Sequence, residues 1–360
     1  MKFTRLGSTV LIAAVTVAGL SSCAANEMAQ GVSHSELSGT VDGAGASSQG
    51  SAQETWIAAF QTAHHQVTIN YDPTGSGAGR KTFAAGGAAF AGSDSALSEA
   101  ELRGTFASCA PDSSAIDLPV YIAPIVLIFN VQGVTELNLD AATIAAIFTA
   151  ELTRWNDPAI VRLNPEQTMP DLPITAVHRS DDSGTTKNFT DYLHANAPAA
   201  WDAEPADGFP FPTGEGVQGT AGVVDTVKNG VGTIGYVDAS KAGSLDVAKI
   251  KVGESFVTYS AEAAAAAVDA SPLIEGREPG DIAIDLDRTS TAAGVYPIVL
   301  VSYLIACQRY SDPAQAALVR EYLGYVASPE GQARAAEFAG SAPISASLRE
   351  KVQKSLDSIR

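Results

Sequence analysis

Three segments of the chain repeat one local plan, and they restrict its fold more than any other feature. Each sets a bend of Gly, Ser and Thr between a strand-like run and a helix: Gly43-Ala44-Gly45-Ala46-Ser47-Ser48, Thr74-Gly75-Ser76-Gly77-Ala78-Gly79 and Arg179-Ser180-Asp181-Asp182-Ser183-Gly184-Thr185. Glycines let such a bend turn its N–H groups into a concave nest, and the following helix points its positive dipole end at the same spot. Short hydroxyl side chains add donors. One bend of this kind carries little, because Ser and Thr are routine helix N-caps and Gly is common in loops. Three of them, one opened by an arginine, point to an oxyanion site at the carboxyl ends of the strands of an open α/β sheet.

The rest of the chain fits that reading. β-Branched runs at Val67–Tyr71, Ile125–Asn130, Ile174–His178 and Gly232–Val237 are candidate strands. Helices are expected over Ala52–Ala63, Ala141–Phe148, Thr186–His194, Gly222–Lys228, Ala261–Ala267, Pro313–Ala327 and Pro329–Ala339. Strand and helix in alternation argue for α/β architecture. From Glu36 to Arg360 the chain is roughly twice an ordinary domain of about 150 residues, so two domains are expected.

Several chemistries are disfavoured by spacing. Gly75–Thr82 reads GSGAGRKT, but Arg80 separates Gly79 from Lys81 and breaks the contiguous Gly-Lys-Ser/Thr of a nucleotide-binding P-loop. Neither Gly43-Ala44-Gly45 nor Gly75-Ser76-Gly77 completes a dinucleotide fingerprint, since Ser48 and Arg80 stand where the last glycine belongs. No Gly-x-Ser-x-Gly turn sits at a credible nucleophile elbow. His34, the pair His64-His65, His178 and His194 form no spaced metal-ligand set. The reading is therefore of a binding protein and not an enzyme, with no cofactor and no metal. A secreted phosphatase, a binder of sulfate or molybdate and a surface adhesion protein stand as alternatives.

The amino terminus suggests export. Lys2 and Arg5 precede the apolar run Val10–Leu20, which ends in Leu20-Ser21-Ser22-Cys23. That order reads as a signal peptide over 1–22, too short to span a bilayer. It resembles the lipobox of bacterial lipoproteins, which would put diacylglycerol on Cys23 and make 23–38 a flexible tether. Outside the cytoplasm disulfides persist, so Cys109 and Cys307 are candidates for a bridge, with two buried free thiols as the alternative. The formal charge of −18 argues against nucleic acid as a partner and means that an anionic ligand must be held by local dipoles and hydrogen bonds.

At its Gly- and hydroxyl-rich bends the sequence resembles the phosphate-binding lipoproteins of the bacterial high-affinity phosphate ABC transporter, the Pst system. The segments that carry the resemblance are GAGAS at Gly43–Ser47, TGSGAG at Thr74–Gly79, AGSDSALS at Ala91–Ser98, RSDDSGTT at Arg179–Thr186, GTIGYV at Gly232–Val237, YPIV at Tyr296–Val299 and SPEGQ at Ser328–Gln332. The resemblance implies a type II periplasmic-binding-protein-like fold of the Venus-flytrap kind. Domain I would comprise 39–122 plus 290–360 and domain II 123–289, with hinge crossovers near Tyr121–Pro124 and Asp285–Tyr296.

It also implies an extracytoplasmic solute-binding protein that takes inorganic phosphate into an interdomain cleft. That protein, a monomer anchored through Cys23 on the outer face of the cytoplasmic membrane, would deliver the ion to the permease subunits of an ABC importer. The family's ligand contacts fall on Ser47, Ser76, Asp94, Arg179, Ser183, Gly184 and Thr185, with backbone N–H groups at Ser48, Ser183 and Thr185. Asp181 is placed to orient the Arg179 fork. Asp94 is the discriminating residue: an ionised carboxylate accepts the O–H of mono- or dibasic phosphate, whereas sulfate would leave it unpaired, a penalty of at least roughly 1–3 kcal/mol.

Overall fold

The structure, a computed structural model, describes residues 37–360. The export signal expected over 1–22, Cys23 and all but the end of the tether lie outside the described residues.

Among the described residues the strands are β1 (Gly39–Gly45), β2 (Val67–Asp72), β3 (Phe90–Ser93), β4 (Ala115–Asn130), β5 (Asn138–Leu139), β6 (Thr175–Arg179), β7 (Glu215–Val217), β8 (Thr233–Asp238), β9 (Asp246–Val247), β10 (Lys249–Val252), β11 (Ser255–Val257) and β12 (Val299–Cys307). The helices are α1 (Gly50–Ala63), α2 (Ser76–Ala84), α3 (Glu99–Leu102), α4 (Ala141–Phe148), α5 (Pro158–Leu163), α6 (Gly184–Asn196), α7 (Gly219–Asn229), α8 (Ala261–Asp269), α9 (Pro313–Ala327), α10 (Pro329–Ala339) and α11 (Ala346–Leu356). This is the α/β class expected, and the elements that the sequence predicts lie within a few residues of the observed ones, except that β4 begins at Ala115, well before the predicted run from Ile125.

Strand order in the main sheet is β2-β1-β3-β12-β4-β8-β6-β7, with β9 also on β4. β1 runs parallel to β2 and β3, and β6 runs parallel to β7 and β8, as crossover helices require. β4 joins these two parallel groups. Its first part pairs with β12 up to Pro124, and from Ile125 it pairs with β8. Proline has no N–H for a ladder, so a change of partner at Pro124 costs no hydrogen bond. A register shift at Ser302/Tyr303 bends β12 where it faces β4. Both strands are buried on both faces nearly throughout.

Local chemistry explains the helix boundaries. Asp312 accepts from the Ala314 amide with Pro313 in the first turn of α9, and Ser328 caps α10 in the same way ahead of Pro329. Trp56 on α1 is fully buried, and its Nε1 donates to the Gly331 carbonyl at 2.7 Å, which fixes α1 against α10. Cys109 and Cys307 form a disulfide with their Cα atoms 5.3 Å apart, tying the loop after α3 to the end of β12. No described helix is long and apolar enough to cross a membrane.

Candidate functional site

All three bends lead from the carboxyl end of a strand into a helix, and they converge. Asp94, directly after β3, lies at the centre with 3% of its surface exposed. Its Oδ1 accepts from Ser48 Oγ and from Ser302 Oγ, both at 2.6 Å, and its Oδ2 accepts from Thr185 Oγ1 at 2.8 Å. The Asp94 backbone is held too. Its N–H donates to Ser76 Oγ at 3.1 Å and its carbonyl accepts from Asn188 Nδ2 at 2.7 Å. A carboxylate offers about four lone-pair positions, so three hydroxyl donors leave one open, on Oδ2. Burial pushes the Asp94 carboxyl up from its ordinary value, while the bonds from Ser302, Ser48 and Thr185 and the charge of Arg179 pull it back without cancelling the rise.

Arg179 ends β6 and is 3% exposed. Its Nε donates to Asp181 Oδ1 at 2.8 Å and its Nη2 bonds Asp181 Oδ2, so both oxygens of Asp181 hold the guanidinium. Burial raises the Asp181 carboxyl, but the bond and charge of Arg179 and the Gly219 amide outweigh it and hold the group below its usual range. The Nη1–Nη2 end of the fork keeps two N–H groups without an acceptor among the described residues, the third reaching Thr220 Oγ1 at 3.4 Å. That free end can grip a pair of anion oxygens.

The Thr74–Gly79 bend wedges between the two clusters. A Cβ on Gly75, whose φ of +104° already favours glycine, would lie 2.6 Å from Asp181 Oδ2 and 3.5 Å from Arg179 Nη2. A Cβ on Gly184 would lie 2.8 Å from both Asp94 Cβ and Ser76 Oγ. Glycine is required at both places for the bends to approach. At the helix starts beside them, the amides of Ser48, Ser76, Gly184 and Thr185 donate to no acceptor among the described residues. Unpaired first-turn N–H groups on converging helices make an anion cradle.

Every expected ligand residue therefore falls in one contiguous region, but the hydrogen bonds revise some roles. The Ser183 amide donates to the Asp207 carbonyl at 2.9 Å and its hydroxyl oxygen accepts from the Thr186 amide, so the Ser183 N–H expected in the cradle is already committed. The hydroxyls of Ser48 and Thr185 are spent on Asp94, which leaves their amides as the free donors. The sequence reading missed Ser302, Thr220 and Asn188. Ser302 lies 208 residues from Asp94, and no local motif marks it. Thr220 stands after a Gln-Gly pair at a helix start, a pattern of the same kind as the three recognised bends.

A second buried carboxylate lies near the first. Asp238, at the end of β8, accepts from Tyr121 Oη at 3.2 Å on each oxygen and from the Ser240 amide at 2.9 Å. Burial, with repulsion from Asp94 adding to it against the bonds from Ser240 and Tyr121, pushes its carboxyl up to about 7. Between pH 4 and 7 the folded chain thus holds a proton that the unfolded chain has released, and stability falls as pH rises through that window. A rise of this size corresponds to about 4 kcal/mol, with the bonds from Tyr121 and Ser240 already counted in it. Asp238→Asn, neutral like the protonated carboxyl, is therefore expected to match the parent at pH 4 and to gain about 4 kcal/mol over it above pH 8. Urea unfolding at both values checks this; parallel pH dependences of the two proteins would refute it.

The fold is that of a type II periplasmic-binding-protein-like receptor. A family model described as a PBP superfamily domain matches residues 31–330. The phosphate-binding protein PstS 3 of Mycobacterium tuberculosis is 34% identical over 339 residues, covering 90% of each chain. PstS2 of Mycobacterium bovis is 31% identical over 373 residues, covering 100% of both. Among solved structures, a periplasmic phosphate-binding protein, PfluDING, bound with phosphate, superposes with a TM-score of 0.67 at 23% identity, over 88% of this chain and 93% of its own. The chain belongs to the PstS family of phosphate-binding proteins within the PBP superfamily.

Proposed function

We propose that the chain is an extracytoplasmic receptor that captures inorganic phosphate and delivers it to an ABC importer. The observation that carries this reading is the single open acceptor position on Asp94, a buried carboxylate ringed by free helix-start amides and the free end of Arg179. Such a site takes an anion only if the anion brings a proton. Mono- and dibasic phosphate do; sulfate does not. The names of the relatives point the same way.

In this reading, Ser47, Ser48, Ser76 and Asp94 belong to domain I (39–122 plus 290–360) and Arg179, Asp181, Ser183, Gly184 and Thr185 to domain II (123–289). The hinge passes through Pro124 of β4 and the 285–296 segment. Contacts between these parts would then stand for a closed state: Thr185 to Asp94, Lys81 Nζ to Asp182 Oδ2 at 2.7 Å, and Arg80 Nη2 to Asp207 Oδ2 at 2.5 Å. Arg80, the residue that spoils the P-loop reading, would serve closure, and a permease can recognise the closed form. Cleavage before Cys23, acylation of its thiol and a monomeric chain tethered by 23–38 complete the proposal, since several acyl chains give stable anchoring.

Calorimetric titration of the chain lacking 1–23 with phosphate and with sulfate tests it. Phosphate is expected to bind and sulfate to bind at least about 10-fold more weakly. Asp94→Asn replaces the open acceptor by a group that can donate, so the phosphate-over-sulfate ratio is expected to drop by about 10- to 100-fold. An unchanged ratio would remove Asp94 from this role.

A further inference from the structure

We infer that Thr220 is a further ligand-binding residue of the site, which together with Ser47 offers one hydroxyl proton to an unprotonated phosphate oxygen beside Arg179. The inference rests on the phosphate reading above and adds a donor that neither the motifs nor the relatives' names point to.

Thr220 is the second residue of α7, where Gln218 provides no side-chain cap and Gly219, at φ +69°, gives its amide to Asp181 Oδ1 at 2.9 Å. The Thr220 side chain is buried, and its Oγ1 lies 2.9 Å from Ser47 Oγ, on the bend between β1 and α1. Each of these oxygens also faces an N–H: Arg179 Nη1 lies 3.4 Å from Thr220 Oγ1, and the Thr220 amide lies 3.4 Å from Ser47 Oγ.

The hydroxyl protons can now be followed. One of the pair lies between the two oxygens. The other finds no acceptor among the described residues, since the remaining neighbours of both oxygens are donors. A buried O–H beside a guanidinium with a free end lacks only an anion oxygen. Asp94 can accept from a protonated oxygen of the guest, whereas this pair has a proton left to give to an unprotonated one. Phosphate at neutral pH carries both kinds.

Three variants, titrated with inorganic phosphate by calorimetry, test the inference. Thr220→Val keeps the shape and removes the hydroxyl, and is expected to weaken binding about 10- to 100-fold. Thr220→Ser keeps the hydroxyl and is expected to stay within about 3-fold of the parent. Ser47→Ala removes the other hydroxyl of the pair, and because either oxygen alone still carries one proton, the double variant Ser47→Ala, Thr220→Val is expected to lose more than the product of the single losses. If Thr220→Val fails to fold, Ser47→Ala against Thr220→Ser still decides. Unchanged affinity in Thr220→Val, or an equal loss in Thr220→Ser, overturns the role of Thr220 and leaves the phosphate reading standing. A parent protein that takes up no phosphate overturns both.

Discussion

Arg179→Met is expected to weaken phosphate binding by roughly 10²- to 10³-fold, the largest loss of any single side chain at the site. Methionine is unbranched and apolar, so the space occupied by the stem stays filled while the guanidinium is removed. Two costs then add. The ligand loses the free Nη1–Nη2 end, a charge-assisted donor pair in a buried setting. Asp181 loses the partner that holds its carboxyl below the usual range, and its charge is left close to the incoming anion with only the Gly219 amide to steady it. Truncating one member of a buried hydrogen-bonded charge pair costs about 2–5 kcal/mol, much of it from the charge left behind.

The double variant Arg179→Met, Asp181→Asn separates these costs. Removing the abandoned charge should restore about 10-fold of the lost affinity, because neutral asparagine no longer repels the ligand. A single variant that binds phosphate as the parent does would show that Arg179 is only an internal ion pair with Asp181. Calorimetry at constant ionic strength is the measurement, since a net charge of −18 makes the affinity for any anion sensitive to salt.

What could be read from sequence, and what could not, follows from how local the determinants are. α9 and α10 match their predicted limits to the residue because Asp312-Pro313 and Ser328-Pro329 write a cap and a first turn into four residues. β12 and the first half of β4 escaped notice. Both are buried on the two faces, so their sequences VLVSYLIAC and AIDLPVYIAPIVLIFN show no alternation to betray a strand. The sequence marks Thr74–Gly79 as a bend, yet α2 begins at Ser76. Its glycine is needed for a tertiary reason: a Cβ on Gly79 would lie 2.3 Å from the Gly45 Cα. The same limit applies to the site. The bends, Arg179 and Asp94 stand out as motifs, but the allotment of hydroxyl protons around Asp94 depends on Ser302 and on helix register, and both are set by the sheet.

Replacing both cysteines, Cys109→Ser with Cys307→Ser, is expected to lower the stability of the chain without touching its ligand. The bridge closes a loop across a sequence separation of 198 residues. In the chain-entropy account a loop that long contributes about 5 kcal/mol, because the unfolded chain regains the freedom that the bond had removed. At roughly 2 °C per kcal/mol for a chain of this size, the melting temperature should fall by about 10 °C. The site should be spared, since Cys307 lies five residues beyond Ser302 along β12, roughly 16 Å at the rise of an extended strand. The melting experiment has to be run without phosphate, because a ligand that binds only the folded state raises the midpoint and would mask the loss. Loss of phosphate affinity along with stability would show that β12, and with it Ser302, depends on the bond for its position. A melting temperature that does not move would mean that the unfolded chain holds these two segments together without it.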